Sequence, residues 1–268
     1  LSASAAPDGY EAAELRSAII VARRGQLAAV QGALESGTLH EYAARHQESR
    51  SLSGRGVAYA APLPNGERVV VRHSRHGGLL APVTGDRFLA PTRAPYELAT
   101  ALRLEAAGVP TPKIVAYVIY PAGLLLRRSD VASREIADSS DLAAVLMTGS
   151  PNDRRAALES AAALIGLLSA TGARHHDLNL KNILLARDAA RGDSPSAYVL
   201  DVDRVEFGRP GDSRVTERNL DRFMRSARKW RELHGARIEE AELVRVAASV
   251  RRFVSSRPSS GARAITRS

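Results

Sequence analysis

The sequence predicts an α+β fold in two parts, an antiparallel sheet carrying one main helix and then a mostly helical half. Three observations predict it. Short extended runs concentrate between Gly54 and Arg128, whereas apolar residues at helical spacing dominate downstream. The length, 268 residues, fits one large domain or two lobes sharing a cleft, and the 44% apolar content argues against wholesale disorder. The expected division is a helical N-terminal extension at 1–50, a sheet part at 51–127, a helical part at 128–256 and a disordered Ser/Arg-rich tail at 257–268.

Taken in order, the Ala-rich stretch from Glu11 to Leu34 has helical spacing but few strong anchors, and predicts a loosely attached helix. The runs "GVAYAAPL" and "RVVVRH" flank Asn65-Gly66, a strong hairpin signal. "PYELATALRLEAA" begins after a proline and stops at Gly108, with Pro110 and Pro112 beyond, which bounds a helix from Pro95 to Ala107. "KIVAYVIY" and "GLLLRR" read as strands joined around Pro121 to Gly123. "DLAAVLM" and "NDRRAALESAAALIGLLS" read as helices, then come the strands "NILLA" and "AYVLDVD" on either side of a polar loop. Helices near Thr216 to Leu233 and Glu239 to Val254 close the fold, and no internal repeat is present.

Composition narrows the function. There is no cysteine, which rules out disulfides and thiolate metal sites and fits a reducing compartment, so the cytoplasm is expected. The longest apolar stretch, Ala161 to Ala170, is roughly half what a bilayer crossing needs. The first residues lack the positive start and apolar run of a secretory signal. A formal charge of +9 implies attraction to polyanions, but aromatics are only 4% and are not interleaved with basic residues, so no nucleic-acid partner is expected.

The chemistry concentrates in "HHDLNLKN" and the strand "AYVLD". Asp177 stands five positions before Asn182, His175 two positions before Asp177, and Asp201 arrives from the later strand. Phosphoryl transfer needs a carboxylate to orient the attacking hydroxyl and accept its proton, plus an amide oxygen and a second carboxylate to hold magnesium against phosphates. Magnesium seldom has an all-protein cage, so two protein ligands suffice. Asp177 and Asn182 also suit a capped turn between helix and strand, a reading weakened by the company of His175 and Asp201. A zinc site from His175 and His176 is not expected, because adjacent side chains diverge and no other histidine stands at ligand spacing.

"HHDLNLKNILL" followed by "YVLDVD" resembles the kinase catalytic loop and metal-binding strand, in the variant form H-x-D-L-N-x-x-N and D-F-D. That variant resembles the lipopolysaccharide kinase group, and within it the kinases of 3-deoxy-D-manno-octulosonic acid (Kdo). "SGRGVAY", "VVVRHSRHGGL", "YELATALRLEAAGVPTPK" and "DVDRVEFG" agree with it, so the likeness runs from about Ser53 to Trp230. The resemblance implies a protein-kinase-like two-lobed fold and transfer of the terminal phosphoryl of ATP to a sugar hydroxyl. Kdo of a lipid-linked lipopolysaccharide core, or another anionic glycolipid, is the implied acceptor, with peripheral contact at an anionic membrane surface on the cytoplasmic face of the inner membrane. It implies Asp177 as catalytic aspartate, His175 as scaffold of the loop, and Asn182 and Asp201 as Mg2+ ligands. Arg72 stands where protein kinases place the lysine that grips nucleotide phosphates, with Glu97 as its helix partner, and an arginine there changes donor geometry. Gly54 and Gly56 give a glycine-poor phosphate loop. Asp203 either helps hold metal or anchors Arg204.

Several features also have plainer readings. Arg72 and Glu97 suit exposed positions, Gly54 and Gly56 a crowded turn, and "RHSRHGG" either a solvated loop or an acceptor site. Arg214, Arg218, Arg222, Arg225 and Arg228 recur every three or four residues beside an apolar face of Leu220, Phe223, Ala227 and Trp230. The favoured reading is a charged exterior with Asp221 and Arg225 paired one turn apart, and the alternative is docking on anionic lipid or acceptor phosphates. The rival functions are the same fold acting on a heptose, a protein or a small molecule, and a non-catalytic basic kinase-like module that binds membrane or nucleic acid.

Overall fold

The computed structural model describes residues 6–52, 57–73, 88–89, 92–123, 126–187 and 194–257. Gly54, Gly56, most of "RHSRHGG" and all but the first residue of the expected tail lie outside them. The chain divides into two compact units, Leu1–Ala101 with Pro112–Glu135, and Leu102–Thr111 with Ile136–Ser268. The division falls at Glu135 and not at the expected 127, because the strand that spans this point continues to Arg134.

The first unit is built on an antiparallel sheet. Its strands are β1 (Tyr10–Leu15), β2 (Ala18–Arg23), β3 (Arg50–Leu52), β4 (Ala58–Pro62), β5 (Arg68–His73), β6 (Phe88–Leu89), β7 (Ile114–Pro121) and β8 (Leu126–Arg134). They run in the order β1-β2-β7-β8-β5-β4-β3, with β6 paired to β8. Two short helices, α1 (Leu27–Ala33) and α2 (Leu39–Arg45), lay Val30, Leu39 and Ala43 into one core with Ile20, Val69, Val71 and Val118. Burying each of the larger of these side chains contributes about 1.5–3 kcal/mol. A Thr38–Glu41 capping box starts α2.

The expected helical extension over Glu11 to Leu34 is a strand pair followed by one short helix. Arg16 and Ser17 both take positive φ, 50° and 67°, forming the two-residue turn that joins Leu15 to Ala18. In β2 Ile20 and Ala22 are fully buried against a register running from Ile19↔Ile119 to Ala22↔Ala116 of β7. Burial on the sheet overrides the helical preference of alanine, so these residues belong to the sheet and not to a separate extension.

The main helix α3 (Ala94–Ala106) ends as expected at Gly108, whose φ of +73° supplies a left-handed C-terminal turn. Its last turn and the segment after it belong to the second unit, where the Val199 N–H bonds Pro110 O and the Thr111 hydroxyl donates to Val199 O.

The second unit centres on α5 (Pro151–Ala170), started by a Ser150–Asp153 capping box with Pro151 at its first position. Around it lie α4 (Leu142–Thr148), α6 (Ser213–His234) and α7 (Glu240–Ser256). Gly166 of α5 faces Phe253 of α7 so closely that a Cβ there would sit 2.7 Å from the ring. Two small sheets complete the unit: β12 (Ser196–Val199), β11 (Ile183–Ala186) and β9 (Ser139–Asp141), then β10 (Ala173–His175) paired with β13 (Val205–Phe207). Among the described residues no helix is long and apolar enough to cross a membrane.

Candidate active site

Two strand pairs bring the sequence-predicted residues together in the second unit. β11 begins directly after Asn182, and its register with β12, Ile183↔Val199, sets Asn182 beside Leu200, whose N–H donates to Asn182 O at 2.9 Å. Asp201 follows immediately. β10 pairs with β13 at His175↔Val205, and the His176 N–H bonds Arg204 O at 2.9 Å, which ties the Asp177 loop to the Asp201 segment.

His175 joins the two segments with its ring. The Asp177 N–H donates to Nδ1 at 3.1 Å, so that nitrogen is an acceptor, and Nε2 lies 2.8 Å from Leu200 O, which only accepts. The ring is therefore the neutral tautomer with its proton on Nε2. Burial holds its pKa below the ordinary histidine value, against the opposing pull of Leu200 O and of Asp201, Asp177 and Asp203. Scaffolding is thus what the geometry supports for His175, and both nitrogens are committed to it. Nε2 of His176 pairs with Glu206 at 2.8 Å, so this ring too is engaged.

Within the loop the Asp177 carbonyl accepts from Asn182 Nδ2 at 2.8 Å and from Asn179 Nδ2 at 3.2 Å. The Asn179 carbonyl oxygen of its side chain caps the turn from Leu180 to Asn182, accepting from the Lys181 and Asn182 N–H groups. With its nitrogen committed, Asn182 has its amide oxygen for a hard cation, and Asp201 adds a carboxylate oxygen, a donor set that suits magnesium. Asp201 itself has φ 52° and ψ 47°, a left-handed backbone that costs an L-residue about 1–2 kcal/mol. Asp203 approaches Arg204 at 3.7 Å, too long for a hydrogen bond.

Helix α6 supplies partners that the sequence did not reveal. Asn219, fully buried, accepts from the His175 N–H at 3.0 Å and donates to Ala173 O at 2.9 Å. The Ser226 hydroxyl accepts from the Leu180 N–H at 3.2 Å, and the Arg222 guanidinium is ion-paired with the Asp177 carboxylate. A polar Asn219 within the apolar stripe was the available signal, since a buried amide demands partners. Of the basic stripe, Arg222 thus belongs to the loop, while Arg228 pairs with Glu240. Arg225 donates to the Asp221 backbone carbonyl rather than to its carboxylate, which corrects the expected Asp221–Arg225 ion pair.

In the first unit Arg72 of β5 forms an ion pair with Glu97 in the first turn of α3, and the Glu97 side chain is only 7% exposed. The plainer reading of Glu97 as a solvated helix position is therefore wrong. That unit also holds Asp130, fully buried on β8, with Oδ1 2.6 Å from His73 Nδ1 and Oδ2 accepting from the His40 N–H and the Tyr120 hydroxyl. The Tyr120 oxygen accepts in turn from the Leu39 N–H, so Asp130 fastens the start of α2 to the sheet.

Comparison with known proteins matches these observations. No curated protein matches the chain. Among solved structures it is similar to WaaP in complex with acyl carrier protein, with a TM-score of 0.56 and 19% identity over 89% of this chain and 89% of that one. That likeness shows a shared mixed fold with a large antiparallel sheet. The model of the lipopolysaccharide kinase (Kdo/WaaP) family matches residues 42–253, which include β5 with Arg72, the Asp177 loop, Asp201 and α6: the chain belongs to the lipopolysaccharide kinase (Kdo/WaaP) family.

Proposed function

We propose that this protein is an ATP-dependent sugar kinase of two-lobed, protein-kinase-like form, and that its acceptor is a hydroxyl of Kdo in a lipid-linked lipopolysaccharide inner core. The observation that carries the reading is the His175 bridge. One ring bonds the backbone N–H of Asp177 and the carbonyl before Asp201, which supports reading Asp177 as a general base held near the proposed metal ligands. Family membership supports phosphoryl transfer and the use of ATP. In this reading Asp177 orients the acceptor hydroxyl and takes its proton as the phosphoryl group arrives. Asn182 and Asp201 would hold Mg2+, which when bound neutralises charge on the phosphates. Arg72, braced by Glu97, would grip the nucleotide phosphates, and the family resemblance gives Gly54 and Gly56 a role in the phosphate loop. Contact with the membrane is peripheral, on its cytoplasmic face, drawn by the +9 charge.

The family description joins Kdo with WaaP, and the solved neighbour is WaaP, so an inner-core heptose is the second acceptor to consider. Labelled ATP offered with a Kdo-bearing lipid A precursor, a heptosylated core and a generic protein separates the readings. Transfer to the Kdo lipid, abolished by Asp177→Ala, is the expected result. Transfer to the heptosylated core alone would move the assignment to the second acceptor, and transfer to protein alone would end the sugar-kinase reading.

A further inference from the structure

On α6 the residues Arg214, Arg218, Arg222, Arg225 and Lys229 fall in one row, within an arc of about 80° and over a length of about 22 Å at helical spacing. The row borders the buried face that carries Asn219, Phe223 and Ser226, and at its midpoint Arg222 touches the carboxylate of Asp177. The other arginines around this helix are neutralised: Arg228 and Arg231 share Glu240, and Glu217 takes Arg251 of α7. In the row itself, Arg214, Arg218 and Lys229 form no ion pair with any described residue, and Arg225 bonds only a backbone carbonyl. Asp221 flanks it, and Glu232 stands in line with it one turn beyond Lys229.

A line of four cations without a carboxylate partner, centred on an arginine paired with the general base of the proposed reaction, is a recognition surface for an acceptor that carries several acidic groups. We infer that this row seats the carboxylate and phosphate groups of an anionic glycolipid, and that Arg222 is the residue at which the docked acceptor meets Asp177. The inference rests on the sugar-kinase reading for its acceptor but assigns the binding to residues that no family motif named. An arginine fork suits carboxylate and phosphate geometry, and the row is long enough to engage groups on neighbouring sugars of one lipid. A plain cationic membrane anchor would not need to touch the catalytic carboxylate.

The test measures equilibrium binding as well as turnover, so that it does not depend on the phosphoryl transfer. Full-length Arg218→Glu and Arg225→Glu are compared with Arg245→Glu, an exposed arginine of α7 outside the row that gives the same change in net charge. Binding to micelles of Kdo-bearing lipid A precursor is read against phosphatidylcholine micelles at low and physiological salt, with thermal melting as a check of folding. Each reversal in the row is expected to weaken lipid binding about tenfold or more and to raise KM for the lipid in parallel. Binding of Mg-ATP should stay at the wild-type level, Arg218→Lys should recover most of the lipid affinity, and Arg245→Glu should bind like wild type.

Equal weakening by Arg245→Glu would show that overall charge and not the row governs binding, and would overturn the inference. Wild-type lipid binding by both row variants would do the same. Lipid binding that depends on the row, without phosphoryl transfer from the wild type to any acceptor, would sustain the row and sink the sugar-kinase reading.

Discussion

Two aspartate centres, one in each unit, use the same residue types to opposite ends. In the sheet unit the carboxylate of Asp130 is consumed by the fold: His73 takes one oxygen, and Tyr120 with the His40 N–H take the other, at 0% exposure. In the helical unit a histidine also stands beside an aspartate, but His175 holds only the backbone N–H of Asp177, while Asn179 and Asn182 hold its carbonyl. Here the fold uses the main chain and presents the carboxylate, 19% exposed, to Arg222. The difference between Asp130 and Asp177, the proposed general base, lies in which atoms of each aspartate the neighbours employ.

The comparison breaks most sharply if the two carboxylates are removed in turn. Asp177→Ala should lower kcat about a thousandfold, the scale of a lost general base, with circular dichroism and melting close to wild type. If kcat held, Asp177 would be no more than a loop residue. Asp130→Ala should do the reverse. Removing one partner of a fully buried pair strands His73 and two backbone or hydroxyl donors, at a cost of about 3–5 kcal/mol, read by urea denaturation. The surviving folded fraction should keep kcat near wild type, and a specific loss of kcat at unchanged stability would place Asp130 in the chemistry.

A third change acts on the backbone that carries the proposed reactive centre. Gly172 opens β10 at φ +75°, and a Cβ there would meet the carbonyl oxygen of Gly208 at 2.6 Å and backbone atoms of Arg209 at 2.8 Å. The Gly208 N–H also bonds Gly172 O, so the collision falls on the strand pair that positions His175. Gly172→Ala should cost about 2–4 kcal/mol from strain and overpacking, and lower kcat as well. Loss of stability without any loss of kcat would show that the β10–β13 pair does not tune the site.

What the sequence disclosed follows the same division between main chain and side chain. The proximity of Asn182 and Asp201 was legible because the strands "NILLA" and "AYVLD" that carry them were, and these pair as β11 and β12; the role of Asp177, Asn182 and Asp201 in phosphoryl transfer is the proposal that grouped them. The Asn65-Gly66 hairpin was legible because that dipeptide favours positive φ. The first hairpin was not, because Arg16 and Ser17 adopt positive φ without a glycine or asparagine to announce it, and Ala-rich strands imitate a helix until a sheet buries them. Asp130 was silent too, since a lone acid in a strand carries no partner in its sequence neighbourhood. Arg222 was visible as a member of a stripe, but its contact with Asp177 spans 45 positions and comes only from packing α6 against the loop.

The smallest expected effect separates the two histidine roles. Burial depresses the pKa of His175, so between the unfolded value near 6.5 and the lower folded value the unfolded chain holds the extra proton. The contribution of this residue is therefore complete above about pH 6.5 and is lost as the pH falls toward the folded pKa, by at most about 1.4 kcal/mol per pH unit. Protonation would also place a hydrogen on Nδ1, against the Asp177 N–H that this nitrogen now accepts. His175→Gln has no such titration. Urea midpoints for both proteins between pH 7.5 and 5.5 should converge on acidification, because the remaining groups titrate alike in each and cancel in the difference. Parallel curves would mean that His175 is already equally protonated in both states, and the neutral bridge between Asp177 and Leu200 would have to be abandoned.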